Sequence, residues 1–379
     1  MPTTEHDRFF HFVDNREKYL LFITTCSEKQ ETARHIGRQF QHLKPQPPAL
    51  RVFQAGSGEG TLLNMVLRQL HYRWPTVPFL VAVKESSPEF IRMAVENLAD
   101  RFREHPQLVL TFTNMLYSEA PWHRPAAPEM RARLQWRDVA LTGNSAYGFD
   151  TQINAELSFV KESWQKVNSS TAGNPPYVDP SVLVLYRADQ RFALDKIIPQ
   201  PEQQEQAYDL VIASQPYRCR LSAESKVQNL LAPLALSLAP GGRMITIQSI
   251  GRDPGMEIIH AVWPGEDPFT TPRKMLLDTL RKHLKTKLPE LIYLNPPSEE
   301  SEFRYHLQLN PDEVDSSIGT STLLAAWNAA AYVAQIEDER LTKAMSERRY
   351  LDVTRKVLQK HEGLWFNNES FVVARPHPD

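Results

Sequence analysis

Three short runs hold residue types that can do chemistry, and each sits where an apolar run gives way to a turn. Gly56-Ser57-Gly58-Glu59-Gly60 lies between RVFQAG and the amphipathic stretch TLLNMVLRQL. Glycines let a backbone turn tightly and approach a ligand closely, and the N–H groups that open the following helix can meet its polar atoms. Glu85, in Lys84-Glu85-Ser86-Ser87, comes about 25 residues later, the spacing at which a nucleotide fold places an acid on a ribose. Its carboxylate offers two adjacent acceptors to a vicinal diol; a solvated charge at a strand end is the plainer alternative. Ser214-Gln215-Pro216-Tyr217 ends the run YDLVIA. It offers an amide and an aromatic ring to a ligand, and the same residues also read as a proline-stiffened loop. The dinucleotide fingerprint leaves two residues before its third glycine, whereas here one intervenes and Thr61 stands where that glycine would be. Nicotinamide redox chemistry therefore ranks behind other nucleotide-like ligands.

In this order the motifs resemble those of class I S-adenosylmethionine-dependent methyltransferases, whose first motif is an acid, one residue, then G-x-G-x-G after the first strand. Gln54 replaces the acid, and its side-chain carbonyl can still accept a hydrogen bond from the methionine amino group. The resemblance implies S-adenosylmethionine as cofactor. Gln54, Gly56, Ser57, Gly58 and Gly60 would surround it, Glu85 and Ser86 would hold its ribose, and Asn114 and Met115 would meet its adenine at the end of the third strand. Ser214 belongs to the same surface, and Gln215 and Tyr217 would be catalytic, because their run is a distant relative of the Asp/Asn-Pro-Pro-aromatic motif of amino-methylating members. Asn174-Pro175-Pro176-Tyr177 and Asn295-Pro296-Pro297-Ser298 match that motif more literally, but they fall inside an insertion and after the fifth strand, so neither is expected to be catalytic. The helical lead-in is faintly similar to that of small-amine N-methyltransferases. The implied reaction is in-line attack of a small-molecule nitrogen or oxygen on the sulfonium methyl, which needs alignment and exclusion of water more than acid–base chemistry. Two other classes stay open: a non-catalytic protein that binds S-adenosylmethionine or S-adenosylhomocysteine, and an NAD-dependent oxidoreductase.

The elements that must position these residues alternate. FLVAVK, EFIRMAVENLADRF and QLVLTF continue the strand and helix around the glycines, and YDLVIA, KVQNLLAPLALSL and RMITIQSI resume it later. Such alternation predicts an α/β fold with a doubly wound, mostly parallel, Rossmann-like sheet. Four segments follow: a helical lead-in at 1–49, the first half of the cofactor core at 50–117, an inserted substrate cap at 118–206, and the second half with C-terminal helices and a closing strand at 207–379. Within the cap, VLVLYR and RFALDKI read as a hairpin. A loop spans 251–268, one long helical region runs from Thr320 to His361, and FVVAR closes the sheet as an antiparallel strand. The acceptor pocket is expected among Tyr217, the cap residues Tyr147 to Asp150, Tyr19, Phe22 and the loop Trp263 to Glu266.

Composition removes other classes. A chain of 379 residues with 41% hydrophobic and 23% charged residues can bury a large core, and its net charge of -2 disfavours nucleic acid and anionic membranes as partners. The apolar stretch Leu323 to Ile336 is shorter than the roughly 20 residues a membrane helix needs. Two cysteines, Cys26 and Cys219, form no disulfide framework, and the opening MPTTEHDRFF does not read as a secretory signal, so a cytoplasmic protein is expected. Patterns for zinc proteases, zinc ribbons, serine hydrolases and phosphate-binding Walker loops do not occur, and no metal is expected.

Overall fold

The computed structural model describes residues 16–165, 177–201, 207–308, 318–347 and 349–377. Among the described residues ten strands form one sheet: β1 Leu50–Ala55, β2 Phe79–Lys84, β3 Leu108–Thr113, β4 Gln135–Leu141, β5 Ser181–Arg187, β6 Tyr208–Ser214, β7 Leu238–Ser249, β8 Ile292–Leu294, β9 Glu302–His306 and β10 Trp365–Ala374. Their order is β4-β5-β3-β2-β1-β6-β7-β10-β8, with β9 also on β10. The centre is parallel, and β10 lies antiparallel to β7 and β8. Continuous Val, Ile, Leu and Phe runs specify such strands because helices cover both faces and neither side chain of the alternating pair meets water.

That alternation sorts the core into two layers. Phe53, Ala55, Ala82 and Val211 face the helical run Ala223–Leu236 and the helix Arg273–Leu284. Val52, Val81, Val83 and Leu110 face the helices Glu28–Gly37, Thr61–Arg73 and Pro88–Glu104. A third cluster packs the lead-in helix Arg16–Thr25 against Pro254–Val262, Thr320–Val333 and Arg349–His361 through Tyr19, Phe22, Ile259 and Trp327. No described helix is long and apolar enough to cross a membrane.

Strand order reverses direction at β1. β2 and β3 extend from one side of it and β6 and β7 from the other, with Gln54 paired to Val83 and to Ile212. Open α/β sheets bind ligands in the crevice that such a reversal leaves at the carboxyl ends of the strands.

Several local expectations need correction. The described residues of the inserted segment 118–206 supply β4 and β5 to the edge of the main sheet, with β5 antiparallel to β3. RFALDKI is helical at Arg191–Leu194 and makes no hairpin with β5. The span 251–268 contains the helix Pro254–Val262, whose N-terminus is capped by Asp253 accepting from Met256 N at 3.0 Å. The C-terminal helical region is three helices, Thr320–Val333, Asp338–Ser346 and Arg349–His361, and Gln335 takes a left-handed φ of 52° at the first break. Pro240-Gly241-Gly242 lies within the irregular start of β7. Gly242 is needed there because a Cβ would come within 2.5 Å of the Tyr208 carbonyl oxygen.

Candidate cofactor and acceptor site

The glycine loop leaves β1 and enters the helix Thr61–Arg73 with Gly56, Gly58 and Gly60 at φ of 89°, 52° and 90°. Each lies in the region L-side chains avoid. A Cβ on Gly56 would meet nothing within 4 Å, so that side of the loop is open, whereas a Cβ on Gly60 would lie 2.7 Å from the Ala94 Cα. Gly60→Ala is therefore expected to destabilise the chain by about 2–4 kcal/mol, through backbone strain and displacement of the helix carrying Ala94. Urea unfolding measures this, and a variant as stable as the parent would contradict the close packing.

Glu85 reaches back from the end of β2 and holds this loop. Its Oε2 accepts from Ser57 N, Ser57 Oγ and Gly58 N at 3.1, 3.2 and 3.3 Å, and its Oε1 accepts from Ser86 N and Ser87 N at 2.8 and 2.9 Å. The carboxylate expected to meet a diol is thus first the clasp of the glycine loop. Trp164 donates its indole N–H to the Glu85 carbonyl at 2.8 Å, a contact from the inserted segment that the sequence did not mark.

On the other flank, Tyr19 donates to the buried Glu59 carboxylate, and the same hydroxyl stands where a Cβ of Gly58 would fall. Burial, reinforced by Glu59, raises the Tyr19 pKa well above its ordinary value. The lead-in helix therefore touches the glycine loop, while Phe22 beside it packs into the third core cluster.

Gln54 sits at the end of β1, buried, with Nε2 donating to the Gly56 carbonyl at 2.9 Å. Its Oε1 has no hydrogen-bond partner among the described residues. A buried carbonyl left without a donor is costly, and it suits a ligand that brings an N–H group. Asn114 is differently placed. Its Oδ1 accepts from Ser181 N at 2.8 Å and its Nδ2 donates to the Asp179 carbonyl at 2.9 Å, so its amide laces β3 to the start of β5 and is already committed. Met115 is fully buried in the core beside Tyr117 and Ala120.

Beyond the ends of β6 and β7, beside Glu369 in the middle of β10, lies a cavity of about 360 Å³. Gln215 and Tyr217, just beyond Ser214, line it together with Gln248, Glu369, Lys226 and Thr271. Gln215 holds a left-handed φ of 48°, an unfavourable conformation for a residue with a Cβ. Its Nε2 donates to Ser249 Oγ at 2.8 Å and Asn368 Oδ1 at 3.2 Å, tying β6 to β7 and β10. Tyr217 donates its hydroxyl to Gln248 Oε1 at 2.9 Å, and Gln248 Nε2 donates to Glu369 Oε1 at 2.8 Å and to the Thr271 carbonyl at 3.0 Å. Burial and the Glu369 charge push the Tyr217 pKa upward, so the phenol stays protonated.

The face of Tyr217 carries a cation from the protein itself. Lys226 Nζ stands 4.6 Å from the ring centroid. This lysine is buried, opens the π-helical turn Val227–Leu231, and donates to the Cys219 carbonyl at 2.8 Å and to Thr271 Oγ1. In sequence it is the first residue of the run KVQNLLAPLALSL. The expected cap aromatics are elsewhere: Tyr147 is exposed, and Phe149 packs against Phe102 on a face of the sheet. Trp263 packs at a tilt against Trp327, and none of Trp263 to Glu266 lines the cavity. Residues 174–176 of the Asn-Pro-Pro-Tyr run lie outside the described residues; Tyr177 donates to Glu119 Oε2 at 2.7 Å.

No protein-family model matches the chain, and no curated protein matches it in sequence. Solved structures do. A chain from Galdieria sulphuraria assigned as a sarcosine dimethylglycine methyltransferase shares 7% identity over 92% of this chain and 85% of its own, at a TM-score of 0.35. A geranyl diphosphate methyltransferase shares 10% over 90% and 78%, at 0.32. A Haemonchus contortus phosphoethanolamine N-methyltransferase 2 shares 9% over 91% and 53%, at 0.29. Likenesses this weak assign no activity. The sheet itself has β3-β2-β1-β6-β7 running parallel from a glycine loop after β1, with β10 inserted antiparallel between β7 and β8. The chain has a Rossmann-like, mostly parallel α/β fold.

Proposed function

We propose that the protein is an enzyme that transfers the methyl group of S-adenosylmethionine to a nitrogen or oxygen of a small molecule bound in the cavity beyond β6 and β7. One observation carries the reading: at the end of β1, where strand order reverses, Gln54 Oε1 is unpartnered and Gly56 has an open side, and the adjacent strand β6 runs through Ser214 into Gln215 and Tyr217 of the cavity.

The residues present fit that cofactor. Gln54 Oε1 would accept from the methionine ammonium, and Gly56 offers a surface no side chain fills. When bound, S-adenosylmethionine supplies an electrophilic methyl on a sulfonium. Glu85 and Ser86 hold the loop in shape and lie where a ribose would approach, with Asn114 and Met115 behind them as the wall on the β3 side. Ser214 ends β6 opposite Ile247 of β7 and leads into Gln215, so it stands between the two halves of the site. Tyr217, fixed through Gln248 to Glu369, orients the acceptor, and Gln215 holds three strand tips at a constant spacing. A cavity of this size, walled partly by Phe269, Ile250 and Val333, suits a small molecule and keeps water from it.

Calorimetric titration with S-adenosylmethionine, S-adenosylhomocysteine and NAD tests the cofactor. The first two are expected to bind and the third is not. Gln54→Leu removes the acceptor for the ammonium and is expected to weaken S-adenosylhomocysteine about 10- to 100-fold, the span of a charge-assisted hydrogen bond. Binding of NAD alone would replace the reading with a dehydrogenase. Binding of S-adenosylmethionine with no labelled methyl released to any amine, alcohol or acid would make the protein a non-catalytic binder.

A further inference from the structure

The charges around the cavity do not cancel. Glu369 is paired with Arg273, whose Nε lies 3.7 Å from Oε2 and whose backbone N–H donates to Oε1 at 3.1 Å. Arg252 is paired with Glu302 at 3.1 Å. Lys226 has no carboxylate within ion-pair distance among the described residues; its partners are a carbonyl, a hydroxyl and an aromatic face. A buried ammonium without a counter-ion is costly, and a cavity beside it is where one can enter.

The hydrogen-bond directions say what that counter-ion looks like. Gln248 spends both N–H groups on Glu369 and Thr271, so its oxygen is the acceptor of the Tyr217 proton. Thr271 Oγ1 accepts from Lys226, and its own proton has no partner among the described residues. Lys226 has a third N–H beyond the two it donates. Two adjacent free donors, one of them cationic, match the oxygens of a carboxylate or phosphate.

Building on the assignment of this cavity to the acceptor, we propose that the acceptor carries an anionic oxygen group, a carboxylate or phosphate, which docks on the Lys226 ammonium and the Thr271 hydroxyl. The cation a methylated amine would bring to Tyr217 is then not what the ring is for, because Lys226 already occupies its face. The anionic end is anchored at Lys226, and the atom to be methylated projects toward Gln215 and β1.

Thermal unfolding of the full chain at pH 7 with formate, phosphate or chloride at matched ionic strength tests this. Lys226, lowered by burial to about 8, is still charged there. Formate or phosphate is expected to raise Tm above the chloride value by about 2 °C or more. The increment should vanish in Lys226→Met, survive in part in Lys226→Arg and shrink in Thr271→Val. Which anion acts separates carboxylate from phosphate. Equal melting in all three salts, or an unchanged increment in Lys226→Met, overturns the proposal. S-adenosylhomocysteine titrated in parallel keeps the two readings apart. Its binding without an anion effect leaves the methyltransferase and removes the anion site; an anion effect without its binding does the reverse.

Discussion

Replacing Glu85 with alanine is expected to abolish measurable S-adenosylhomocysteine binding and to lower stability by about 3 kcal/mol or more. The carboxylate accepts five hydrogen bonds, three from Ser57 and Gly58 of the glycine loop and two from its own turn, and it is buried. Removing it strands several N–H groups that water cannot reach fully, and each such group costs about 1–3 kcal/mol before relaxation. The loop would relax by opening, which takes the positive-φ glycines out of the geometry that leaves Gly56 accessible. Glu85→Gln is the sharper variant. An amide keeps the volume but turns one end into a donor, and both ends of this side chain face N–H donors. It is therefore expected to lose at least about 100-fold in affinity, well beyond what deleting one ribose contact would cost. Calorimetry and urea unfolding of the two variants decide this. A glutamine variant that binds and folds like the parent would show that the clasp is dispensable and that Glu85 serves only the ribose.

The clasp also explains which parts of the candidate site were legible. Gly56, Gly58 and Glu85 announce themselves because a turn and a strand end allow few residue types, and both features are local. The central strands were legible for the same reason: FLVAVK and YDLVIA are apolar except for Lys84 and Asp209, so burial on two faces accounts for them. β4 was not, since QWRDVAL mixes charged and apolar residues on a sheet edge that is partly exposed. Asn114 shows the limit more clearly. Its type and place suit an adenine contact, but its partners Asp179 and Ser181 arrive from a distant segment, and no local pattern reveals that they consume its amide. Lys226 and Glu369 were illegible because a lysine at a helix start and an acid in a strand are usually solvated; the return of β10 beside β7 buries Glu369, and Cys219, Thr271 and Tyr217 close around Lys226. The left-handed Gln215 belongs to the same group, since nothing in Ser-Gln-Pro-Tyr demands a positive φ.

The fold is also expected to fail early in acid, for reasons unrelated to the site. His35, His105 and His123 are each buried, and burial lowers each pKa to about 4, helped at His35 by Arg38 and at His105 by His71. All are held as neutral rings: His35 Nε2 lies 2.7 Å from Ser370 Oγ, His105 Nε2 lies 2.9 Å from the Val77 carbonyl, and His123 Nε2 lies 3.0 Å from Thr111 Oγ1. Unfolded histidine titrates near 6.5, so between about pH 6.5 and 4 the unfolded chain binds more protons than the folded one. Stability from these rings is complete above that window and is lost as pH falls through it. At pH 5 each ring costs about 2 kcal/mol, and three together rival the total stability of an ordinary domain. Asp209 and Asp253, whose pKa values burial raises, oppose part of this loss because they favour protonation in the folded state. Urea midpoints at pH 7, 6 and 5 are expected to fall steeply, and His123→Gln should flatten the slope, since its ring has no exposed edge from which a charge could reach water. A midpoint that stays constant down to pH 5 would mean that these rings charge within the fold, which their burial between sheet and helices does not permit without local opening.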